Sequence, residues 1–315
     1  MLRLSFIVPF YNVEPYIEEC IRSLFTQDIP QEEYEVICVD DCFPDGSRAI
    51  VERLQKEYPT LKLLIHTENK RQGGARNTGM KVAQGRYIWF VDSDDYIKPN
   101  CLKGLLEQAE NEDLDILDFD FDADYSKQPF RKNVESYEMG PCSGADYVFN
   151  NHKGKWPWRC STVWSGLIKR ELINDLLFRE HVQYEDNDYA IRMYAHAKRV
   201  HHIPEKPYYY RVVSDSTVRH KTTLTQIDYN MQLLHAYTGV YDELKSMDLR
   251  WGVGIEELIK YVSVQVLRQL KEVNDDDRKS FYKSHMGYMP DVRQFIGKKV
   301  WLALNSNVLR KVLTI

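Results

Sequence analysis

Apolar runs and helical patterns alternate over the first hundred residues of the chain. The apolar runs lie at residues 4–9, 34–40, 61–65 and 87–91, with the sequences LSFIVP, YEVICVD, LKLLI and YIWFV. Runs of this kind are typical of strands that are buried on both faces. The segments between them predict helices that begin near Pro15, Ser47 and Gly73. This order of elements favours an α/β fold with a mostly parallel, doubly wound sheet.

The pattern is less regular in the rest of the chain. Residues 99–112 predict a helix, and the alternating sequence DILDFDFD at 115–122 predicts a strand. Residues 225–315 show helical periodicity and no recognisable catalytic motif. The chemistry is therefore expected in the first two thirds of the sequence.

Composition and charge narrow the class of protein. The chain has 315 residues, of which 43% are hydrophobic and 28% charged, and its formal net charge is −5. These values exclude disordered, collagen-like and membrane-embedded chains and argue against a general nucleic-acid binder. The six cysteines form no CxxC pair, which fits neither a zinc site nor a disulfide framework. Because there is also no signal-peptide pattern and no apolar stretch of about 18 residues, we expect a cytoplasmic protein.

Candidate ligand groups follow each of the four predicted strands. In an open α/β sheet, ligands bind beyond the carboxyl ends of the strands, where the loops converge. Here the loops carry PFYN at 9–12, DD at 40–41, ENKR at 68–71 and DSDD at 92–95. Taken singly, such groups also fit a helix cap at Asn12, a turn at 40–41 and a solvated helix charge at Arg76.

The DSDD sequence carries the strongest chemical signal. Asp92, Asp94 and Asp95 directly follow an apolar strand, and their carboxylates would repel one another without a positive charge among them. Mg²⁺ or Mn²⁺ suits such hard oxygen ligands and completes its coordination shell with water and substrate phosphates. The motif therefore predicts a divalent cation and a phosphorylated substrate, with a plain turn as the alternative.

Five motifs, in this order and spacing, resemble family 2 glycosyltransferases of the GT-A fold. They are FIVPFYN at 6–12, VDD at 39–41, ENKRQGGARNTG at 68–79, YIWFVDSDD at 87–95 and YEDNDYAIRMY at 184–194. The resemblance implies transfer of a sugar from a nucleotide-sugar donor to an acceptor hydroxyl, with inversion at the anomeric carbon. It also implies a catalytic domain over residues 1–224, with a nucleotide-binding half (1–97) and an acceptor half (98–224), before the helical region.

The resemblance further implies roles for the strand-end residues. The nucleobase would contact Pro9, Tyr11, Asn12, Glu14 and Asp40, with Asp41 as a second candidate for the carboxylate that accepts from the base. Ribose and phosphate contacts are implied for Arg71, Arg76, Asp92 and Ser93. Asp94 and Asp92 would bind the cation, and Asp95 would be structural or face the acceptor. Many relatives have glycine where this chain has Arg71, which sets that residue apart from the family pattern.

The sequence YED at 184–186 supplies the candidate base. Ala190, Met193 and Ala197 follow Asp186 at helical spacing, so this carboxylate begins a helix at its inward-facing end. An N-cap aspartate is the alternative. The resemblance favours Asp186 as the general base and Glu185 as a sugar or acceptor contact, whereas Asp188 is expected on the surface.

Three other segments carry candidate contacts. Trp156, Trp158 and Trp164 are candidates for stacking on sugar rings, with core packing as the commoner use of tryptophan. Residues 207–220 resemble the strand and loop that close over the diphosphate in relatives. The resemblance makes Arg211, Arg219 and His220 candidate contacts, with a solvent-exposed histidine as the alternative for His220. The tail at 296–315 mixes basic and apolar residues, which fits either an anionic membrane surface or docking on protein.

The substrate is the part that the resemblance specifies least. UDP-hexose or UDP-N-acetylhexosamine donors and a glycan or lipid-linked glycan acceptor, as in bacterial cell-surface polysaccharide assembly, are expected by analogy. A sugar-phosphate nucleotidyltransferase and a non-catalytic carbohydrate-binding protein are the alternatives, and a homo-oligomer stays open. A dinucleotide oxidoreductase is excluded because no GxGxxG follows the first strand.

Overall fold

The computed structural model describes residues 2–42, 44–123, 137–150, 162–212, 222–285, 292, 294–296 and 301. The chain divides into two compact units, Met1–Val213 and Ser214–Ile315. This division falls after Val213, whereas the sequence predicts one after residue 224. The internal boundary at residue 97 stays a prediction.

The first unit is built on one large sheet. Within the described residues, its strands are β1 (Leu4–Phe10), β2 (Tyr34–Asp40), β3 (Leu61–Ile65), β4 (Tyr87–Phe90), β5 (Tyr96–Ile97), β6 (Ile116–Ala123), β7 (Met139–Cys142), β8 (Gly166–Lys169) and β9 (Val200–Tyr210). They are hydrogen-bonded in the order β3-β2-β1-β4-β8-β6-β9-β5, and β7 pairs with β9. The helices of this unit are α1 (Ile17–Leu24), α2 (Ser47–Leu54), α3 (Arg71–Val82), α4 (Leu102–Asn111), α5 (Gly144–Asn150), α6 (Arg170–Ile173) and α7 (Glu185–His196).

The four predicted strands form the parallel part of this sheet. β1 pairs in parallel with β2 and β4, and β2 pairs in parallel with β3. Every residue of β1, β2 and β4 is buried, as their continuous apolar runs predict. Phe6 and Trp89 lie with ring centroids 5.5 Å apart at the centre of the core. This confirms the α/β class and the Rossmann-like arrangement of the first hundred residues.

Antiparallel pairs enter the sheet beyond β4. β8 lies between β4 and β6 and is antiparallel to both, while β6 and β9 are parallel. The long strand β9 also pairs with the two-residue strand β5, directly after the DSDD sequence. The result is a mixed sheet whose second half places β9 beside the end of β4.

One glycine in α3 lets this helix approach the sheet closely. A Cβ atom on Gly79 would lie 2.5 Å from Cγ2 of Ile7 in β1, which is closer than side chains tolerate. The ENKRQGGARNTG motif therefore contains a packing requirement as well as candidate ligands. It holds the polar first turns of α3 beside the carboxyl ends of the parallel strands.

The second unit is helical, as predicted. Its described helices are α8 (Thr223–Met247), α9 (Leu249–Glu272) and α10 (Asp275–His285). The side chain of Thr222 caps α8 and that of Asp248 caps α9, each by accepting from a backbone N–H of the first turn. Within the described part of the chain, no helix is long and apolar enough to cross a membrane.

Candidate active site

The carboxyl ends of the parallel strands lie side by side. Phe10 at the end of β1 is in register with Asp40 at the end of β2, and Asp40 is in register with Ile65 at the end of β3. Hydrogen bonds continue one residue past β4, from the amide of Val91 to the carbonyl of Ile7. The loops that follow these strands therefore leave the sheet at one edge, which is where ligands bind in open α/β sheets.

A buried arginine connects three of these segments. Arg76 in α3 is only 2% exposed. Its Nη2 donates to Oδ1 of Asp92 over 2.8 Å, and its Nη1 donates to Oε1 of Glu185 over 2.5 Å. A buried guanidinium is costly unless it is paired, and here two carboxylates pair with it. The interpretation of Arg76 as a solvated helix charge is therefore wrong, and the side chain joins α3, the DSDD loop and α7.

The YED sequence forms the start of α7. Tyr184 is the N-cap residue, adopts a left-handed backbone conformation with φ of 58°, and makes no capping hydrogen bond through its side chain. The helix begins at Glu185, one residue before its predicted start. Asp186 therefore stands inside the first turn rather than at the cap, and its Oδ1 accepts from Nδ2 of Asn187.

The environment of Asp186 changes its acidity. Burial raises the pKa of this carboxyl to about 7, and the neighbouring Glu185 adds to the rise, while Arg76 opposes it. A carboxyl with a pKa near neutrality is suited to exchange a proton with substrate, because it is a stronger base than an ordinary aspartate. A carboxyl with a raised pKa thus lies beside Glu185 and Arg76 of this cluster.

Two carboxylates of the DSDD loop suit a divalent cation. Asp92 is partly exposed, and burial together with the nearby charge of Asp92 raises the pKa of Asp94 to about 6. A carboxylate that is destabilised in this way gains from a cation, and Mg²⁺ or Mn²⁺ bound with a diphosphate needs only one or two carboxylates. Within the described residues, no group of three or more His, Cys, Asp or Glu side chains is arranged to hold a metal. The donor set therefore fits a cation that is shared with substrate.

The fourth residue of the loop, Asp95, holds the loop in place. Its carboxylate is buried and accepts from the hydroxyl of Tyr208 over 2.6 Å and from the amide of Arg211 over 2.7 Å. Arg211 also donates from Nε to the carbonyl of Asp94 and from Nη2 to Glu19. These contacts attach the end of β9 to the DSDD loop.

The loops after β1 and β2 surround a second cluster of polar groups. Asp40 accepts from the amide of Cys42 and from Nε of Arg48. Oδ1 of Asp41 accepts from the amide of Lys70 and pairs with Nδ1 of His66, each within 2.9 Å. Both aspartates are almost fully buried, so each is held rigidly at the strand ends.

The segment from Pro9 to Glu14 borders this second cluster. Pro9 is buried in β1, whereas Tyr11 is 46% exposed and Asn12 is exposed with a φ of 54°. The carboxylate of Glu14 accepts from the amide of Gly46 over 2.9 Å. An exposed aromatic ring beside fixed carboxylates is an arrangement that a nucleobase can use.

Comparison with known proteins decides the family. Residues 5–177, more than half of the chain, match the model of "Glycosyl transferase family 2". The chain belongs to this family. It is 35% identical over 239 residues to the uncharacterized glycosyltransferase EpsJ of Bacillus subtilis, covering 72% of this chain and 64% of EpsJ. It is 30% identical over 211 residues to the poly(ribitol-phosphate) beta-N-acetylglucosaminyltransferase TarS of Staphylococcus aureus, covering 67% of this chain and 35% of TarS. The chain thus spans less than two thirds of either relative.

Solved structures support the GT-A fold of this glycosyltransferase. The crystal structure of residues 1–349 of S. aureus TarS in complex with UDP-GlcNAc matches with a TM-score of 0.70, covering 98% of this chain and 88% of that one at 21% identity. The mannosyltransferase PcManGT of Pyrobaculum calidifontis, in complex with GDP-Man and Mn²⁺, matches with a TM-score of 0.56, covering 99% and 83% at 17% identity. At such identities, the likeness establishes the fold alone.

The structure does not bring every predicted contact to the glycosyltransferase site in the same way. Ser93 is buried, and Arg71 is exposed at the first position of α3 with a φ of 60°. Trp164 is 5% exposed and stacks on Tyr208 with centroids 4.7 Å apart, so packing accounts for its ring rather than an open face for a sugar. Arg219, His220, Trp156 and Trp158 lie outside the described residues, as does most of the tail at 296–315.

Sequence reasoning missed three residues that support this site. Asp188 was expected on the surface, yet it is buried, and its carboxylate accepts from Nε of Arg179 and from Arg192. Asn77 lies in the ENKRQGGARNTG motif but was given no role, and Phe178 carried no signal of its own. The i, i+4 spacing of Asp188 and Arg192 is a sequence signal for an ion pair. The partner Arg179 lies outside the helix and could not be found by spacing.

Proposed function

We propose that this enzyme is an inverting transferase that moves a hexose or N-acetylhexosamine from a UDP-sugar to a hydroxyl group of a glycan acceptor. The observation that carries the proposal is the position of Asp186, a carboxyl with a pKa raised to about 7, beside the cluster of Arg76, Asp92 and Glu185. The UDP-sugar donor is supported by TarS, which has been crystallised with UDP-GlcNAc. A polymeric acceptor with free hydroxyl groups is supported by TarS, which is a poly(ribitol-phosphate) beta-N-acetylglucosaminyltransferase.

The proposed reaction is a single displacement. Asp186 takes the proton from the acceptor hydroxyl as its oxygen bonds to the anomeric carbon, and the bond from that carbon to the diphosphate oxygen breaks with its electron pair. One displacement inverts the configuration, and no covalent bond to the enzyme forms. Glu185, fixed by Arg76, lies next to the base and is available to contact the sugar or the acceptor.

The diphosphate that departs carries negative charge. The buried guanidinium of Arg76 contributes a fixed positive charge near Asp92, in surroundings where electrostatic interactions are stronger than in water. Asp92 and Asp94 are the residues that would hold Mg²⁺ or Mn²⁺, and a bound cation would offset charge on the diphosphate. Asp95, Tyr208 and Arg211 keep the backbone of this loop in place.

The nucleobase is assigned to the second polar cluster. Tyr11 is exposed beside the end of β1, and Asp40 and Asp41 end the neighbouring strand. Arg48 and Cys42 already pair with both oxygens of Asp40, whereas the contacts of Asp41 involve Oδ1. Oδ2 of Asp41 therefore suits the N3–H of uracil better than the sequence motif alone suggests.

The experiment that tests the proposal measures release of nucleoside diphosphate by the full chain. UDP-glucose, UDP-galactose, UDP-GlcNAc, UDP-GalNAc and GDP-mannose are each supplied with Mn²⁺, with poly(ribitol-phosphate) or a mixed glycan pool as acceptor. We expect release with a UDP-sugar that increases when acceptor is present, and a product of inverted anomeric configuration by NMR. Release only from GDP-mannose, or a product of retained configuration, would contradict the proposal.

A further inference from the structure

A backbone segment lies between α3 and the catalytic helix α7 and is held from both sides. We infer that Asn77, through this segment, is a positioning residue that fixes Asp186 relative to the donor site. The inference rests on the proposed function of Asp186 as the base. Asn77 acts only through the segment at residues 178–180 and not by contact with donor or acceptor.

The amide of Asn77 pairs with the backbone of Phe178. Its Nδ2 donates to the carbonyl of Phe178 over 2.9 Å, and its Oδ1 accepts from the amide of the same residue over 2.9 Å. Nδ2 also lies 3.3 Å from Oε1 of Glu180. Asn77 is 2% exposed, so both hydrogen bonds are shielded from water. A side-chain amide is the group that can make this two-way contact, because it carries a donor and an acceptor side by side.

The ring of Phe178 transmits this contact to α7. It stacks on Tyr189 with centroids 3.6 Å apart and an angle of 5° between the ring planes. The Phe178 ring also packs edge-on against Phe90 of β4. The guanidinium of Arg76 lies 5.3 Å from the centroid of the Phe178 ring. Phe178 is therefore in contact with the helix that carries Asp186, with the parallel sheet, and with the arginine of the site.

A second set of contacts fixes the residue that follows. Nε of Arg179 donates to Oδ1 of the buried Asp188, which stands two residues after Asp186 in the same helix. Gly73 allows the approach, because a Cβ atom there would lie 2.5 Å from the carbonyl oxygen of Arg179 and 3.1 Å from Cγ of Glu185. Residues 178 and 179 are thus enclosed between the first turns of α3 and α7.

These contacts connect the GGARNTG motif to the start of α7, in addition to the Arg76 to Glu185 ion pair and the hydrogen bond from the Tyr189 hydroxyl to Sδ of Met80. Loss of the Asn77 amide leaves that ion pair in place but frees the backbone of Phe178. Asp186 is then held relative to the donor site by the Arg76 to Glu185 ion pair, the Arg179 to Asp188 contact and the ring of Phe178, whose backbone α3 no longer fixes. Because reacting groups must be held near attack distance, a displacement of about 1 Å lowers turnover by about a hundredfold.

The test compares Asn77→Asp and Asn77→Ala with Asn230→Ala. The aspartate side chain still accepts from the Phe178 amide through one oxygen. Its second oxygen replaces Nδ2 and cannot donate to the Phe178 carbonyl, so one of the two hydrogen bonds is lost while the side chain keeps its size. Asn230 is a matched control, since it is also a buried asparagine whose amide donates to a side chain, Oε1 of Gln269, in the helical unit. We expect kcat per folded molecule to fall by about 10- to 100-fold in both Asn77 variants, with donor KM changed by less than about twofold. Asn230→Ala is expected to keep wild-type kcat.

A double-mutant measurement separates positioning from stability. If Asn77 acts through Asp186, then adding Asn77→Asp to Asp186→Asn lowers kcat by much less than it does in the wild type. Multiplicative losses, or losses that match the folded fraction measured by circular dichroism, would overturn the inference. If Asn77→Ala fails to fold, the kinetic comparison is made with Asn77→Asp.

A readout without turnover keeps this inference distinct from the proposed function. Hydrogen exchange of the amides at residues 188–192, which are the first that α7 protects by its own hydrogen bonds, is expected to accelerate in the Asn77 variants and to stay unchanged in Asn230→Ala. Accelerated exchange in an enzyme that transfers no sugar would support the positioning contact and contradict the proposed function. Unchanged exchange with unchanged kcat would overturn the positioning role while the wild-type activity upholds the proposed function.

Discussion

The two halves of the large sheet are stabilised in different ways. The parallel strands β1, β2 and β4 bury mostly apolar side chains, with rings such as Phe6 and Trp89 in contact. Their buried Glu35 pairs with Ser5 and with the partly exposed Lys62. The mixed half buries a charged residue, Asp118 of β6, which is 0% exposed. Its Oδ2 accepts from Tyr147 and His202 over 2.6 Å each, and its Oδ1 accepts from Tyr194 and Ser165.

This difference affects how each half can vary. An apolar core tolerates exchange of similar side chains at small cost, whereas a buried hydrogen-bond network loses several bonds when one member changes. The loops proposed to bind the nucleotide-sugar donor follow β1, β2 and β4 in the parallel half. The candidate base lies on α7, whose Tyr194 belongs to the network. The site thus combines residues from a half of the sheet that tolerates apolar substitutions with residues from a half that does not tolerate changes in its hydrogen-bond network.

The largest effect is expected for Asp186→Asn, which removes the base without removing its shape. Transfer should fall by about 10²- to 10⁴-fold, the usual worth of a positioned general base. Because burial raises the pKa of Asp186 to about 7, folding works against its charge, and the variant should melt no lower than the wild type at pH 8. Kinetics with UDP release and thermal melting provide the measurement. Turnover near the wild-type value would move the search for the base to Glu185 or Asp95.

The contrast between the halves predicts unequal costs for two nearly isosteric changes. Asp118→Asn turns an acceptor of the network into a donor that faces the donors of Tyr147 and His202, and it should lower the free energy of unfolding by about 3 kcal/mol. Ile37→Val in β2 should lower it by about 1 kcal/mol. Urea unfolding of both variants checks this, and equal losses would show that the halves do not differ as described.

Removal of the candidate metal ligand tests the donor side of the site. Asp94→Ala should weaken UDP binding in the presence of Mn²⁺ by about 10- to 100-fold, because the cation that offsets the diphosphate charge loses a ligand. Calorimetric titration with and without EDTA provides the measurement. Affinities that are equal in both proteins and insensitive to EDTA would remove Asp94 from the metal site.

The smallest effect is a dependence on pH. Asp186 accepts a proton only when ionised, so with a pKa of about 7 its ionised fraction, and with it kcat/KM, should fall about tenfold between pH 8 and pH 6. The slope of log kcat/KM against pH should approach 1 below pH 7. A flat profile down to pH 5 would show that the group responsible has an ordinary carboxyl pKa.

The strands of the parallel half could be predicted from the sequence more closely than those of the mixed half. The predicted bounds of β2 and β3 agree with the structure. β2 is buried throughout, as its largely apolar run predicts, whereas β3 is an edge strand that is only partly buried. β5, β7 and β8 were not predicted. Each is four residues or shorter, and none has enough length to show a period. The alternation at 115–122 did predict β6, but not that Asp118 on it is fully buried.

The residues of the candidate site also differ in how well the sequence predicts them. Asp92 and Asp186 could be found because motifs mark them, and helical spacing placed Asp186 at the start of α7 within one residue. Asn77 and Phe178 stand 101 positions apart, and their contact depends on a backbone carbonyl and amide that no residue type encodes. Contacts of this kind become visible only when the fold has brought the two segments together.

The placement of β8 has a consequence for how the chain folds. β8 lies late in the first unit, at Gly166–Lys169, yet it occupies the centre of the sheet, between β4 and β6. The parallel strands β1–β4 can pair as soon as residue 90 has left the ribosome. The two halves of the sheet cannot join before residue 169 has also emerged. Until then, the β4 edge is an open template for pairing with another chain. We therefore expect a nascent or truncated chain that ends before β8 to be prone to aggregation. Pairing of the four residues of β8 with β4 removes this exposed edge.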